Sequence, residues 1–182
     1  MPKVDPEIKS KINLLSKPDL AKLVIKAAAQ SKDFYNLLIV NYLDKVNGEK
    51  DLFDQAKEDL KLLLSKSYKG YSLELVMANM LAACNKRINE FSKISKDHSL
   101  SMELIMMVLE TPFALSTNHF TTCFTRYNQQ VYLLIKKALT LLKNKLHEDY
   151  HIQYSPQLNE YLIILHRTSS HLDYIYSLPK SI

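Results

Sequence analysis

Apolar side chains recur at helical spacing along most of the chain, and the longest such run covers residues 118–151. In this run they alternate at steps of four and three residues, which keeps them on one stripe of an α-helix. The stripe consists of Phe120, Phe124, Tyr127, Val131, Leu134, Ala138 and Leu141. The pattern therefore predicts a long helix near residues 118–149, on which shorter helices pack.

Four polar residues mark the beginnings of other helices. Asp5 stands before Pro6, and Ser16, Ser31 and Ser72 each stand before a run with helical apolar spacing. Side-chain oxygens of Asp and Ser cap the first N–H groups of a helix, and proline fits the first helical position. These positions predict four helix starts.

Three further signals predict where helices end or restart. Asn47-Gly48 predicts a left-handed helix end, because glycine adopts positive φ without steric cost. Pro112 predicts a kink or an end of its helix, because proline has no backbone N–H to donate. Ser155-Pro156 predicts the start of the last helix.

The same pattern predicts which segments are covered. Residues 17–30 are expected to bury one face, made of Leu20, Leu23, Val24, Ala27 and Ala28. Residues 34–43 are apolar almost all round, which predicts a helix covered on most sides. The tail from residue 178 is expected to be loose.

Together these elements predict an all-α fold of seven or eight helices in a single domain over residues 1–182. We expect an irregular multi-helix bundle around the long helix, because the later helices are unequal in length. A short α-solenoid of helical pairs, such as 17–30 with 32–46, is the alternative.

Composition supports the helical interpretation. The chain has 182 residues, of which 47% are hydrophobic and 24% charged, and this balance excludes extensive disorder. It contains only 2 Gly and 6 Pro, whereas β-rich folds need turn residues at frequent intervals. The sequence shows no signal peptide or transmembrane run, so we expect a cytoplasmic protein. Cys84 and Cys123 are expected to be small buried hydrophobes.

The N-terminal third carries a family resemblance. The segments that carry it are INLLSKPDL at 12–20, SKDFY at 31–35, DLF at 51–53 and AK at 56–57. They resemble the opening of a family of small, uncharacterised, all-helical bacterial proteins. The resemblance implies a helical fold and no activity, and it assigns no site residue.

One string matches a catalytic motif. His147-Glu148-Asp149-Tyr150-His151 has the pattern H-E-x-x-H and resembles the active-site helix of zincin metalloproteases. On a helix, His147 and His151 would share one side and could bind Zn²⁺, and Glu148 could act as general base.

The surroundings of this string depart from the zincin pattern. Asp149 is charged where the zincin helix usually carries uncharged residues, and no further glycine and histidine follow at metzincin spacing. Glu160, His166 and His171 are alternative third ligands, and the sequence does not choose among them. Exposed side chains at a helix end are the simpler interpretation of the string.

The charge pattern gives a second alternative. The formal net charge is +5 and the pI is about 9.0, and the long helix carries Arg126, Lys136, Lys137, Lys143 and Lys145 with no acid before Glu148. This pattern is compatible with nucleic acid binding, although the charges are spread around the helix and no helix-turn-helix or zinc-finger signature is present.

The chain contains 11 Tyr, many of them in its C-terminal half, where they suit helix packing or an interaction face. The sequence therefore favours a non-enzymatic module that binds another protein or its own copy through an apolar, tyrosine-rich helical face. A zinc-dependent hydrolase using His147, Glu148 and His151 is one alternative, and a nucleic-acid-binding protein is another.

Overall fold

The computed structural model describes residues 4–169 and 171–182, and over these residues the chain forms eight α-helices and no strand. The predicted all-α fold class is therefore confirmed. The helices are α1 (Pro6–Asn13), α2 (Lys17–Gln30), α3 (Lys32–Leu38), α4 (Gly48–Ser65), α5 (Leu73–Ile94), α6 (His98–Ala114), α7 (Thr125–Asn144) and α8 (Asp149–Thr168). A π-helical segment, Ile39–Leu43, and two 3-10 helices, Thr117–Thr121 and Asp173–Ser177, complete the secondary structure of these ranges.

The chain divides into two compact units, Met1–Glu49 and Lys50–Ile182. The first unit contains α1, α2, α3 and the π-helical segment, and the boundary falls in the first turn of α4. The second unit contains the rest of α4 and all later helices. The expectation of one domain over residues 1–182 stays a prediction. Within the described ranges, no helix combines the length and apolarity that crossing a bilayer requires.

The predicted helix starts in the first unit are confirmed by their caps. Asp5 precedes α1 and accepts a backbone N–H in its first turn. The Ser16 hydroxyl accepts from the Asp19 N–H at 3.3 Å and donates to the Asp19 carboxylate at 2.6 Å. Ser31 accepts from the Phe34 N–H at 3.2 Å. Each cap satisfies a donor that the helix itself leaves unpaired.

Gly48 does not end a helix in the left-handed conformation, so that prediction is wrong. No glycine of the described residues has a positive φ, and α4 begins at Gly48. A Cβ at this position would lie 3.2 Å from Ile39 Cγ2 and 3.3 Å from Val40 Cα. A Cβ would therefore crowd the π-helical segment, and glycine avoids this tight contact.

The core of the second unit forms where α5, α6 and α7 pack on one another. Most of the predicted apolar stripe is fully buried there, namely Phe120, Tyr127, Val131, Leu134 and Ala138. Phe124 and Leu141 are the exceptions. Phe124 lies in the connection before α7 and remains 43% exposed, and Leu141 is half-buried. Most of the predicted stripe therefore belongs to the core of the second unit.

The long helix is shorter than the predicted 118–149, and this correction applies at both ends. At the start, residues 117–121 form a 3-10 helix, and the Asn128 amide donates to the Phe120 carbonyl at 2.8 Å. At the end, the N–H groups of Lys145 and Leu146 both bind the Leu141 carbonyl, at 2.9 and 3.1 Å. These bonds close α7 before the histidines.

Neither proline marks a helix end or start as predicted, and the kink expected at Pro112 stays a prediction. Pro112 lies inside α6, which continues to Ala114, and Pro156 lies inside α8, which already begins at Asp149. An interior proline costs roughly 3 kcal/mol. Packing offsets this cost at Pro112, which is buried and whose carbonyl accepts from the Tyr127 hydroxyl at 3.4 Å.

The C-terminal tail is fixed to the second unit, so the prediction of a loose tail is wrong. Leu178 is buried. The Asn159 amide binds both the N–H and the carbonyl of Ile182, at 2.9 and 3.1 Å. The hydroxyls of Tyr132 and Ser177 lie 3.0 Å apart. These contacts join the tail to α7 and α8.

A side-chain hydrogen bond ties the 3-10 helix before α7 to the first turn of α5. His119 Nδ1 lies 2.9 Å from Glu74 Oε1, and both side chains are largely buried. The hydrogen bond from His119, followed by backbone bonding at Glu74, lowers the pKa of the Glu74 carboxyl below its usual 4.5. The ionised carboxylate is therefore favoured in the folded state.

Replacing Glu74 by Gln should reduce the free energy of unfolding by about 1 kcal/mol at neutral pH. Because the pKa of Glu74 is lower in the folded than in the unfolded chain, the unfolded chain takes up the proton first as the pH falls. The advantage of the wild type should therefore be complete above pH 4.5 and should shrink below it. Denaturant unfolding at several pH values measures this difference.

Glu160→Gln is the matched control, because Glu160 is exposed and forms no ion pair in the described ranges. A Glu74→Gln effect that equals the control, or that grows as the pH falls, would contradict the assigned role of the pair.

Candidate functional site

The H-E-x-x-H string lies between two helices and not at the end of one long helix. His147 and Glu148 precede α8, and His151 is in its first turn. The N–H groups of Tyr150 and His151 bind the carbonyls of His147 and Glu148, at 3.1 and 2.9 Å. His147 therefore lies outside the regular helix that would place the two histidines on one side.

The two histidines have different surroundings. The His147 side chain is 74% exposed, and its Nδ1 lies 3.1 Å from Asp149 Oδ2 and 3.4 Å from the Asp149 N–H. His151 is partly buried, and its Nε2 lies 3.0 Å from the Leu142 carbonyl. His147 thus contacts the start of α8, whereas His151 joins the start of α8 to the end of α7.

A third metal ligand is not brought to this pair. Within residues 4–169 and 171–182, no group of three or more His, Cys, Asp or Glu side chains could hold a metal ion. Of the alternatives from sequence, Glu160 and His171 are exposed, and His166 Nε2 lies 3.1 Å from the Pro179 carbonyl. Zinc binding by His147 and His151 therefore stays a prediction, and Glu148 as general base depends on it.

Separate alanine variants of the two histidines distinguish the interpretations. His151→Ala should lower the free energy of unfolding by about 1 kcal/mol, because it removes the bond to the Leu142 carbonyl. His147→Ala should change it by less than about 0.5 kcal/mol, because that side chain is exposed. Denaturant unfolding measures both effects, and mass spectrometry measures zinc in the same preparations. One zinc per chain that is lost equally in both variants would contradict this interpretation and support a metal site.

The basic residues of the predicted long helix do not form one group. Arg126, Lys136, Lys143 and Lys145 are exposed, whereas Lys137 is turned inward. Lys136 and Lys143 are seven residues apart and therefore lie on the same side of α7. Nucleic acid binding by these residues stays a prediction.

Lys137 belongs to a polar network that the sequence did not reveal. Its Nζ donates to Asn89 Oδ1 at 2.7 Å and to Ser92 Oγ at 3.5 Å, and the Ser92 and Ser101 hydroxyls lie 3.0 Å apart. Burial lowers the pKa of Lys137 to about 8. Ser101 is buried on α6, so this network joins α5, α6 and α7 and offers a substrate no access to that hydroxyl.

Lys137→Met should stabilise the protein at neutral pH, because methionine has a similar shape and no charge to desolvate. Below pH 8 the lysine is protonated in both the folded and unfolded chain, so the cost of burying the charge applies in full. Between about 8 and 10.5 the folded chain loses this proton first, so the wild type should regain stability relative to the variant. Denaturant unfolding across this pH range measures the difference.

Lys145→Met is the control, because Lys145 is exposed just after α7. If Lys137→Met destabilises the protein at pH 7 more than this control does, the network stabilises the core despite the buried charge, and our interpretation is wrong.

The tyrosines of the C-terminal half mostly serve packing. Tyr127, Tyr132 and Tyr161 are buried, and the Tyr161 ring stacks on Phe113 with 3.9 Å between centroids. These three rings therefore do not contribute to an exposed face, and a tyrosine-rich interaction face stays a prediction. Tyr176 remains exposed in the tail.

The two cysteines also differ. Cys84 is buried, as predicted, and burial raises the pKa of its thiol to about 12. Cys123 is exposed, so the prediction of burial is wrong there. The reason is that Cys123 lies in the connection between the 3-10 helix and α7, outside the helical stripe.

The first unit exposes a large amount of apolar surface. None of its helices α1, α2 and α3 contains a buried residue, and neither does the π-helical segment. We define the N-terminal apolar surface by its exposed members Val4, Ile8, Ile12, Leu14, Leu15, Leu23, Val24, Ile25, Tyr35, Tyr42, Leu43 and Val46. The predicted burial of Leu23 and Val24 is therefore wrong. Residues 34–43 are only partly covered, because most of them are half-buried while Tyr35, Tyr42 and Leu43 are exposed.

A cavity of about 640 Å³ opens in the second unit between the C-terminal half of α7, the start of α8 and the tail. We call it the C-terminal cavity. Lys136, Lys143 and His151 are among the residues that line it, together with apolar side chains of α7 and of the tail. His151, which the sequence predicts as a metal ligand, therefore contributes to a cavity wall.

No model of a known protein family, no curated protein and no solved structure matches the chain. The resemblance of the N-terminal third to a family of bacterial helical proteins therefore stays a prediction.

Proposed function

We propose that this chain is a non-enzymatic protein-interaction module that associates through the N-terminal apolar surface. The observation that carries the proposal is that the capped helices α1, α2 and α3 and the π-helical segment contain no fully buried residue. Large exposed apolar surfaces mark interaction sites in soluble proteins. The interacting face is thus in the first unit and not on α7.

The energy balance of the first unit supports this proposal. Ordering the backbone costs roughly 1–2 kcal/mol per residue, and burial of apolar side chains is the main term that offsets it. Leu14, Ile25 and Val46 are 85%, 70% and 86% exposed. Covering a side chain of this type contributes about 1.5–3 kcal/mol. A partner that covers several of them would therefore stabilise the helices of this unit.

The π-helical segment adds to the same surface. Its widened turn is closed by a bond of 2.8 Å from the Asp44 N–H to the Ile39 carbonyl, and it leaves Tyr42 and Leu43 exposed. Irregular turns of this type are frequent at functional sites. Tyrosine also combines apolar area with a hydroxyl that tolerates water, a combination favoured at interfaces.

The partner that we propose first is a second copy of the chain. A symmetric pair brings the same apolar surface from both subunits together, so one contact covers both. Another protein with an apolar helical face would satisfy the same physical requirement. We also propose that the protein is cytoplasmic, as expected from the sequence.

Self-association is measured by light scattering coupled to size-exclusion chromatography over a wide range of protein concentration. The wild type should form a dimer or a larger assembly, and Leu23→Glu/Ile25→Glu should shift it to the monomer, because both side chains are exposed apolar residues of α2. Lys22→Glu is the control, because it introduces the same acid at an exposed position next to Leu23 without removing apolar surface. The control should behave as the wild type.

Hydrogen exchange supplies the second measurement. Amide protection of α2 and α3 should rise with protein concentration in the wild type and stay low in the double variant. A wild type that remains monomeric at all concentrations, with protection already complete, would overturn self-association. A monomer that acquires this protection only with a purified partner would assign the same surface to another protein.

A further inference from the structure

The C-terminal cavity has the size and position of a small-molecule site. Its volume of about 640 Å³ lies within the range of roughly 300–1,000 Å³ that is typical of ligand pockets. All of its lining residues belong to the second unit. The inference therefore does not depend on the function proposed for the first unit.

The walls of this cavity are mainly apolar. Leu139 and Leu142 contribute from α7, and Leu178 and Ile182 contribute from the tail. The tail wall is held in place by the two bonds of Asn159 to Ile182. A wall fixed in this way reduces the ordering cost of binding an apolar chain.

The charged side chains of the cavity lining are lysines. Lys136 and Lys143 line it from the same side of α7, and the lining includes no Asp or Glu side chain. In the described part of the chain, neither lysine forms an ion pair. Lys136 Nζ lies 5.5 Å from the centroid of the Tyr132 ring, a contact that leaves its charge uncompensated by any anion.

We propose that the C-terminal cavity binds a small amphipathic anion, with the anionic headgroup at Lys136 and Lys143 and the apolar chain against the leucine walls. A lysine ammonium acts as a point charge, so a carboxylate and a phosphate headgroup both suit it. The partly buried His151 also lines the cavity, at the start of α8. The ligand class is thus a monomeric single-chain carboxylate or phosphate.

Calorimetric titration with hexanoate, octanoate and decanoate, each below its micelle concentration, tests this proposal on the full chain. Binding should saturate at one ligand per chain and strengthen about fourfold for each CH₂ group that enters the cavity. Decyl phosphate should bind comparably to decanoate. Decanol should bind more weakly, by roughly tenfold, because it lacks the charge that the two lysines compensate.

Variants locate the binding. Lys136→Gln/Lys143→Gln should weaken decanoate binding by about tenfold and leave decanol binding unchanged. Lys145→Gln is the matched control, because Lys145 is an exposed lysine close to Lys143 that does not line the cavity. It should bind decanoate as the wild type does. Thermal unfolding of each variant checks that it is folded.

Several outcomes would overturn the proposal. These are titrations without saturation, equal binding of decanol and decanoate, and equal losses in the double variant and the Lys145→Gln control. Association with vesicles of anionic phospholipid without binding of the monomeric amphiphiles would also overturn it, because the surface charge would then serve a membrane and not the cavity. Methyl signals of Leu139 and Leu178 that remain unshifted on saturation would place the ligand elsewhere.

Discussion

Burial of one stripe of α7 between α5 and α6 is the interaction on which the second unit depends. Tyr127, Val131 and Leu134 are fully buried there. Their positions orient the rest of α7, because the helix has a fixed angle per residue. Lys137 is carried inward to Asn89, while Lys136 and Lys143 lie on the side that lines the C-terminal cavity. Burial of this stripe thus determines both the polar network around Lys137 and the charge of the cavity lining.

The first unit has regular helices but no comparable core. Its caps are well formed, yet no side chain of α1, α2, α3 or the π-helical segment is buried. Hydrogen bonds of a helix cap contribute on the order of 1 kcal/mol, far less than the entropy cost of ordering such a segment. Helices of this kind gain their stability from packing. This difference between the two units is the physical basis for assigning association to the first and small-molecule binding to the second.

Long-range polar contacts shape the second unit around its apolar core. Glu74 meets His119 across 45 residues of sequence, and Asn128 joins the Phe120 carbonyl to the Ser169 hydroxyl. Asn159 holds Ile182 across 23 residues. None of these pairs has a local sequence signature, so the fixed tail and the cavity that it walls could not be predicted. The contact of His151 could not be predicted from the motif either, because its nitrogen bonds a backbone carbonyl of the preceding helix.

The sequence by itself determined the all-α class, the caps at Asp5, Ser16, Ser31 and Ser72, and the apolar stripe of α7. These features depend on atoms within about four residues of one another or on helical periodicity, and both can be read along the chain. Tertiary structure decided where α6, α7 and α8 begin and end, and which apolar residues are covered. Packing and distant hydrogen bonds can offset the roughly 3 kcal/mol cost of an interior proline. The helix α6 therefore continues past Pro112, although proline is a local signal for a helix end. The tertiary structure also decided that the N-terminal apolar surface is exposed. Burial requires a neighbouring surface, and periodicity alone does not identify one.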